Sequence, residues 1–372
     1  MRQQPKQPSN LTSTRRRFLQ FSAAFASTVA LGSCQRSILN DSSFSQSSSN
    51  DLLRIYTWAD YSNEEVYQQF TEQTGIKIIA DVYDSNETML TKLLAGGGNQ
   101  YSIIYPSDYM VKQMIELKLL TQIDHTRLQG LNQLLDKWKN PPYDPHNTHS
   151  IPVSWGTTGL IYNTEVLQSK PTDWEFLWRE KQALSGRITL LDDVREVMGA
   201  TLRSIGYSYN ATNPKELEAA YQKLRELKPA LASFESFGWE DSLVAGDLAL
   251  CMTYSIIGNS LPTEHPHLKY VIPQSGTSVW TDTLVIPKTA PNLNAAYAWI
   301  NFMLKPENAA FAVEKLMFAT PNKAAFEQLP SELKENTNLY PTSETLAKYE
   351  TIAPIGKAID LYDEYWTELK SI

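Results

Sequence analysis

Leu52-Leu53-Arg54-Ile55-Tyr56, apolar around one arginine, reads as a strand, and the chain after it decides the fold. Ser62-Asn63-Glu64-Glu65 has the spacing of a capping box, which predicts a helix to about Gln73, with Gly75 stopping it. Residues 76–82 return as a strand, and Asn86 and Thr88 precede a short helix that runs into the loop Gly96-Gly97-Gly98. A third strand covers 102–105, and Pro106-Ser107-Asp108-Tyr109 opens the next helix. Strand, helix, strand, helix, strand is the alternation of a parallel α/β lobe. Such sheets gather their working residues beyond the carboxyl ends of the strands, where Trp58, Tyr61, Ser107 and Tyr109 fall. The triple glycine is no phosphate cradle, because no Gly-Lys-Ser/Thr follows it and no strand feeds it directly.

Further along, a polar, proline-rich passage over 140–149 closes this lobe. Ile151-Pro152-Val153-Ser154-Trp155-Gly156 and Leu160-Ile161-Tyr162-Asn163 read as extended chain leading elsewhere. A second α/β unit begins with a strand over 188–191 that ends at Asp192-Asp193-Val194-Arg195-Glu196, the start of a helix. Asn213-Pro214 caps and starts another, to about Leu227. A short helix covers 241–246, and a strand over 249–253 ends at Tyr254. The chain returns through 270–273 and Ser278-Val279-Trp280-Thr281-Asp282-Thr283-Leu284-Val285-Ile286-Pro287; from Leu293 it is mostly helical, ending with a helix over 358–369. Alternation along the returning strand puts Trp280 and Asp282 on one face. An indole beside a carboxylate on rigid backbone is a recess for an organic cation, although a core aromatic beside a solvated acid would look the same.

Upstream, Thr14-Arg15-Arg16-Arg17-Phe18-Leu19-Gln20 is a basic region with a twin arginine, followed by a small and apolar stretch over 21–31 that is too short to span a membrane. It ends at Leu31-Gly32-Ser33-Cys34. This pattern predicts an export signal over 1–33 with a lipobox, Cys34 as the lipid-bearing first mature residue, and a Ser- and Asn-rich tether over 34–50. The twin arginine resembles a Tat signal, with Sec export the alternative. The 372 residues are enough for two lobes, and 42% hydrophobic with 20% charged residues is ordinary for a folded protein. Removing the leader takes five of the 33 basic residues (Arg2, Lys6, Arg15, Arg16, Arg17) and none of the 41 acidic ones, so the charge moves from −8 to −13. That balance argues against a nucleic-acid partner and favours cationic cargo. Cys251 is the one cysteine left beside Cys34, so the mature body has no internal disulfide.

Asp193 and Glu196 stand three apart at a helix start. They fit helix-dipole complementarity, counter-charges for an amine, or the acid and base of a secreted glycosidase. His146 with His149 and His265 with His267 have metal-compatible spacings but lie in Pro- and Asn-rich loops without cysteine, so no metal is assigned. Gly-x-Ser-x-Gly and His-Glu-x-x-His are absent, which leaves an enzyme reading little support.

In order along the chain come Trp58-Ala59-Asp60-Tyr61, Glu72-Gln73-Thr74-Gly75-Ile76-Lys77, Asp84-Ser85-Asn86-Glu87-Thr88-Met89, Pro106-Ser107-Asp108-Tyr109, Leu191-Asp192-Asp193-Val194-Arg195-Glu196 and Trp280-Thr281-Asp282. Together they resemble the spermidine/putrescine-binding proteins of bacterial polyamine ABC importers. The resemblance implies a two-lobe type II periplasmic binding protein fold, with lobe 1 over 51–157 and 282–325 and lobe 2 over 158–281 and 326–372. It implies first-lobe ligand contacts at Trp58, Tyr61, Ser107 and Tyr109, with Asp60 for a far nitrogen, and a clamp of Asp193, Glu196, Trp280 and Asp282. Four positions depart from the family pattern: Ala59 for threonine, Tyr254 for tryptophan, Phe318 for tyrosine and Glu350 for glutamine, the last adding a charge. The implied protein is a lipid-tethered, monomeric periplasmic receptor that needs no cofactor and hands polyamine to an inner-membrane ABC permease. The alternatives are a same-fold receptor for another ligand, a secreted glycosidase using Asp193 and Glu196, and a structural envelope lipoprotein with an empty cleft.

Overall fold

The computed structural model describes residues 51–371; the leader, Cys34 and the tether lie outside them. Leu52–Trp58 forms β1, which pairs in parallel with β2, Lys77–Tyr83, and with β3, Ile103–Ile104. Two helices make the crossovers, α1 over Glu64–Thr74 and α2 over Asn86–Leu94, and α3 over Asp108–Glu116 follows β3. The cap of α1 is Asn63, whose side chain accepts from the Val66 amide at 3.1 Å, rather than the Ser62 that the capping-box spacing favoured. Gly75 at φ +74° closes the same helix in the left-handed conformation that glycine takes without steric cost. The triple glycine leads into a short 3-10 turn over Gly97–Gln100.

Residues 150–163, read from sequence as two extended pieces, are one fully buried strand, β4, Ser150–Asn163. A register shift between Pro152 and Ser154 accommodates the proline, which has no amide to give the ladder. The strand changes partner midway. Ser150 to Thr157 pair antiparallel with β9, Ser278–Val285, and Thr158 to Tyr162 pair with β7, Leu250–Tyr254. Beyond β7 lie β5, Ile188–Leu190, and β6, Leu231–Phe234, while β8, Leu268–Val271, pairs with the end of β4. The start of β9 carries β10, Glu350–Thr351, and its end is antiparallel to β3. Two α/β halves therefore share β4 and β9, and the first half is a parallel sheet closed by an antiparallel strand.

The helices bury their apolar stripes against these sheets. In the first half Phe70 of α1 meets Trp299 and Phe302 of the Leu293–Leu304 helix edge-on, at 4.9 and 5.4 Å between ring centres. In the second, Tyr209 lies flat against Gly199 of the Val194–Ser204 helix, where an added Cβ would come within 2.0 Å of the ring. Cys251 is a buried free thiol. No helix among the described residues is long and apolar enough to cross a membrane.

Candidate functional site

Asp282 lies mid-strand on β9, where alternation sends it to the same face as Trp280. Its Oδ1 accepts from the Ser107 hydroxyl at 2.7 Å and its Oδ2 from the Tyr61 hydroxyl at 2.8 Å. Tyr61 is also hydrogen-bonded to Ser154 of β4. Two segments thus hold the carboxylate directly, the 3-10 turn after β1 and the N-cap of α3, and β4 supports the first through Ser154. Burial pushes the Asp282 carboxyl up to about 6, with the two hydroxyl donors working against the rise.

Asp193 is the N-cap of the Val194–Ser204 helix. Its Oδ1 accepts from the amides of Arg195 at 2.9 Å and Glu196 at 3.0 Å, and its Oδ2 from the Tyr254 hydroxyl at 3.2 Å. Glu196, one turn on, accepts from Ser278 through both oxygens, at 3.0 and 2.8 Å, and from Tyr209 at 2.6 Å. Burial and then the neighbouring Asp193 charge push Glu196 up to about 7, and Asp193 is raised chiefly by burial. Asp60, half-buried, is raised by burial and then by Glu240 and Asp282.

These four acids line one cavity. Aromatic rings make the walls: Trp58, tilted on Tyr83 at 4.5 Å, and Trp280, with Tyr254 edge-on at 6.1 Å. Gly156 of β4 makes the Trp280 position possible, because a Cβ there would sit 2.3 Å from the indole. Tyr61, Ser107 and Tyr109, also singled out in the sequence, line the cavity too. Among the described residues, no basic side chain lines the cavity.

The other two candidate residues lie elsewhere. Phe318 is buried behind Tyr61, stacked at 5.7 Å, and does not line the cavity. Glu350 does not line it either: it pairs with Arg203 at 3.1 Å and accepts from the Tyr209 amide at 3.1 Å and from the Ser208 hydroxyl. Its charge is spent on that arginine, so it is not an extra acid of the cavity. Sequence reasoning missed Asn86, Phe237, Ile256 and Ile352, which also line it. Asn86 resembled a helix start, yet Ser85 is the cap; Asn86 instead accepts from the Ser107 amide at 3.2 Å and donates to Tyr109 at 3.1 Å. Two adjacent cap-type residues were the available signal.

Two α/β halves joined by shared strands and meeting over a buried, acidic and aromatic cavity define the two-lobe fold of the periplasmic binding proteins. The chain belongs to the bacterial extracellular solute-binding protein family, whose model matches residues 65–342. The spermidine/putrescine-binding periplasmic protein of Salmonella typhimurium is 36% identical over 330 residues, 88% of this chain and 94% of that protein. The putrescine-binding periplasmic protein SpuD of Pseudomonas aeruginosa is 30% identical over 351 residues, 88% and 94% of the two chains. Among solved structures, the spermidine/putrescine ABC transporter substrate-binding protein of Streptococcus pneumoniae is 37% identical with a TM-score of 0.73, covering 86% of this chain and 99% of that one. A lipoprotein of Treponema pallidum is 29% identical with a TM-score of 0.75, at the same coverage.

Proposed function

We propose that this chain is the receptor of a polyamine ABC importer, capturing spermidine or putrescine between its lobes and presenting the closed form to a permease in the inner membrane. One observation carries this reading: four carboxylates converge on a cavity walled by rings and lined, among the described residues, by no basic side chain. A carboxylate taken out of water without a counter-charge is costly, and a guest bearing ammonium groups removes that cost. Each charge-assisted hydrogen bond contributes about 1.5–3 kcal/mol net, and each ring face about 0.5–2 kcal/mol. Two such bonds and two or three rings reach the roughly −8 kcal/mol of a micromolar binder after closure costs. In this scheme Asp193, Glu196 and Asp282 meet the nitrogens, Trp58, Tyr254 and Trp280 sandwich the methylenes, and Asp60 takes the far nitrogen. The names of the relatives support the same ligand class.

The lobes in this reading are 51–157 with 282–325 and 158–281 with 326–372; the partner change of β4 between Thr157 and Thr158 supports that division. Lipidation at Cys34 would tether a monomer to the membrane, and a structural relative that is a lipoprotein supports it. A glycosidase is disfavoured because Asp193 and Glu196 are engaged by cap amides, Tyr254, Ser278 and Tyr209, not held free for water. Thermal unfolding against a panel of amines, amino acids and sugars tests the reading. At 100 times its Kd a polyamine adds about 2.7 kcal/mol of stability. A rise with sugars or amino acids alone would instead assign a same-fold receptor for another solute, and turnover of an oligosaccharide would revive the glycosidase.

A further inference from the structure

Arg195 is the one lysine or arginine among the described residues that is buried, at 2% exposure. Among the described residues it has no ion-pair partner: its Nη2 donates to two neutral oxygens, Asn210 Oδ1 and the Ala353 carbonyl, each at 3.0 Å. Its Nε finds no hydrogen-bond partner among them. It is also the second residue of the helix that Asp193 caps, where the helix dipole opposes a cation. Burial, the missing ion pair and the dipole all disfavour a guanidinium here, so the surroundings must compensate through charge that is close but not in direct contact.

Its own helix offers Asp193, whose Oδ1 takes the Arg195 amide, and Glu196. From α2 comes Glu87, and from α3 come Tyr109, Lys112 and Glu116, which line the same groove as Arg195 on the far side of Tyr109 from the cavity. The Ile359–Ser371 helix adds Asp363 to that groove, and Tyr362, whose ring centre is 5.5 Å from the guanidinium. The Tyr109 ring, at 5.8 Å, stands on the cavity side.

We propose that Arg195 is a positioning residue: a resident counter-charge behind the cavity wall that favours the ionised form of Asp193 while no cationic ligand is bound. The role of Asp193 as a ligand contact rests on the polyamine reading, but the charge relation between the two residues does not. Burial raises the Asp193 carboxyl, and the Glu196 amide, the Tyr254 hydroxyl, the Arg195 amide and last the Arg195 charge pull it down.

Carboxyl-carbon NMR titration of the ligand-free protein tests it, with the Asp193 signal identified by its loss in Asp193→Asn. Arg195→Met is expected to raise the Asp193 midpoint by about one pH unit, and Arg195→Lys to leave it near wild type. An unmoved midpoint in Arg195→Met overturns the proposal; Arg195→Gln serves the same purpose should the methionine variant fail to fold. Calorimetry supplies a second readout. Arg195→Met should cost more polyamine affinity at pH 6 than at pH 8, and an equal loss at both would mean plain structural damage and overturn the proposal. A wild-type protein that binds no amine would end the receptor reading, while the NMR titration would still decide the part played by Arg195.

Discussion

Asp282→Asn separates the ligand's contribution from the fold's with the fewest side effects. The substitution removes one negative charge and keeps the shape. Tyr61 retains Ser154 as a partner, so its hydroxyl is not stranded. One charge-assisted hydrogen bond to an ammonium, about 1.5–3 kcal/mol, is lost, which corresponds to roughly a 10- to 150-fold weaker Kd. The ligand-free protein should respond in the opposite sense. The Asp282 carboxyl rises from its ordinary 3.8 to about 6 in the fold, so its stabilising protonated form is fully present below the ordinary value and is lost as pH rises through about 6. At pH 8 the buried charge therefore costs about 3 kcal/mol, part of which the asparagine variant recovers. Calorimetry with spermidine and putrescine at pH 8 is expected to give at least a tenfold loss of affinity, and chemical denaturation without ligand an unchanged or higher stability. Unchanged affinity would remove Asp282 from the site. Lost affinity accompanied by lost stability would mean that the aspartate serves the fold.

The same charges set a pH profile. Protonation of Glu196 near 7 and of Asp282 near 6 should weaken polyamine binding progressively between pH 8 and pH 5, while ligand-free stability rises over that interval because both values lie above the ordinary carboxyl range. Calorimetry and urea denaturation across those pH values measure both slopes, and a flat affinity would refute the carboxylate account. Glu350→Gln should change affinity less than twofold. Its pair with Arg203 is a quarter exposed and worth at most about 1 kcal/mol, so a slightly lower melting temperature is expected, and a tenfold loss of affinity would return Glu350 to the site.

What could be read from the sequence was what local periodicity encodes. The alternation from Leu52 to Tyr109 and the shared face of Trp280 and Asp282 follow from steps of 3.6 and 2 residues, and the structure has both. The continuity of β4 could not be read, because Gly156 and Gly159 interrupt the pattern for reasons that lie outside it. Each glycine makes room for groups from elsewhere in the chain: an added Cβ at Gly156 would come within 2.3 Å of the Trp280 indole, and one at Gly159 within 2.5 Å of the Val271 carbonyl oxygen and 2.8 Å of the Tyr270 ring. Glu350 failed for a similar reason. Position and charge matched a binding residue, but a distant arginine and the Tyr209 amide decide where its carboxylate points.

The five residues from Ser278 to Asp282 explain why one short strand can couple binding to the joining of two halves. At its start Ser278 holds Glu196, a second-half acid. At its end Asp282 is held by Tyr61 and Ser107, both from the first half. Between them Trp280 leans edge-on against Tyr254 of β7. Asp282 therefore stands on this strand and Glu196 is tied to its start, yet the two acids are oriented by donors from different halves. A ligand bearing two ammonium groups gains both bonds only when both sets of donors are in place, so its binding energy is available to hold the halves together. Under the polyamine reading proposed above, a cation with one ammonium would satisfy one end and leave the other buried charge unpaired, so the separation of charges in the ligand, more than its hydrophobicity, would set its affinity.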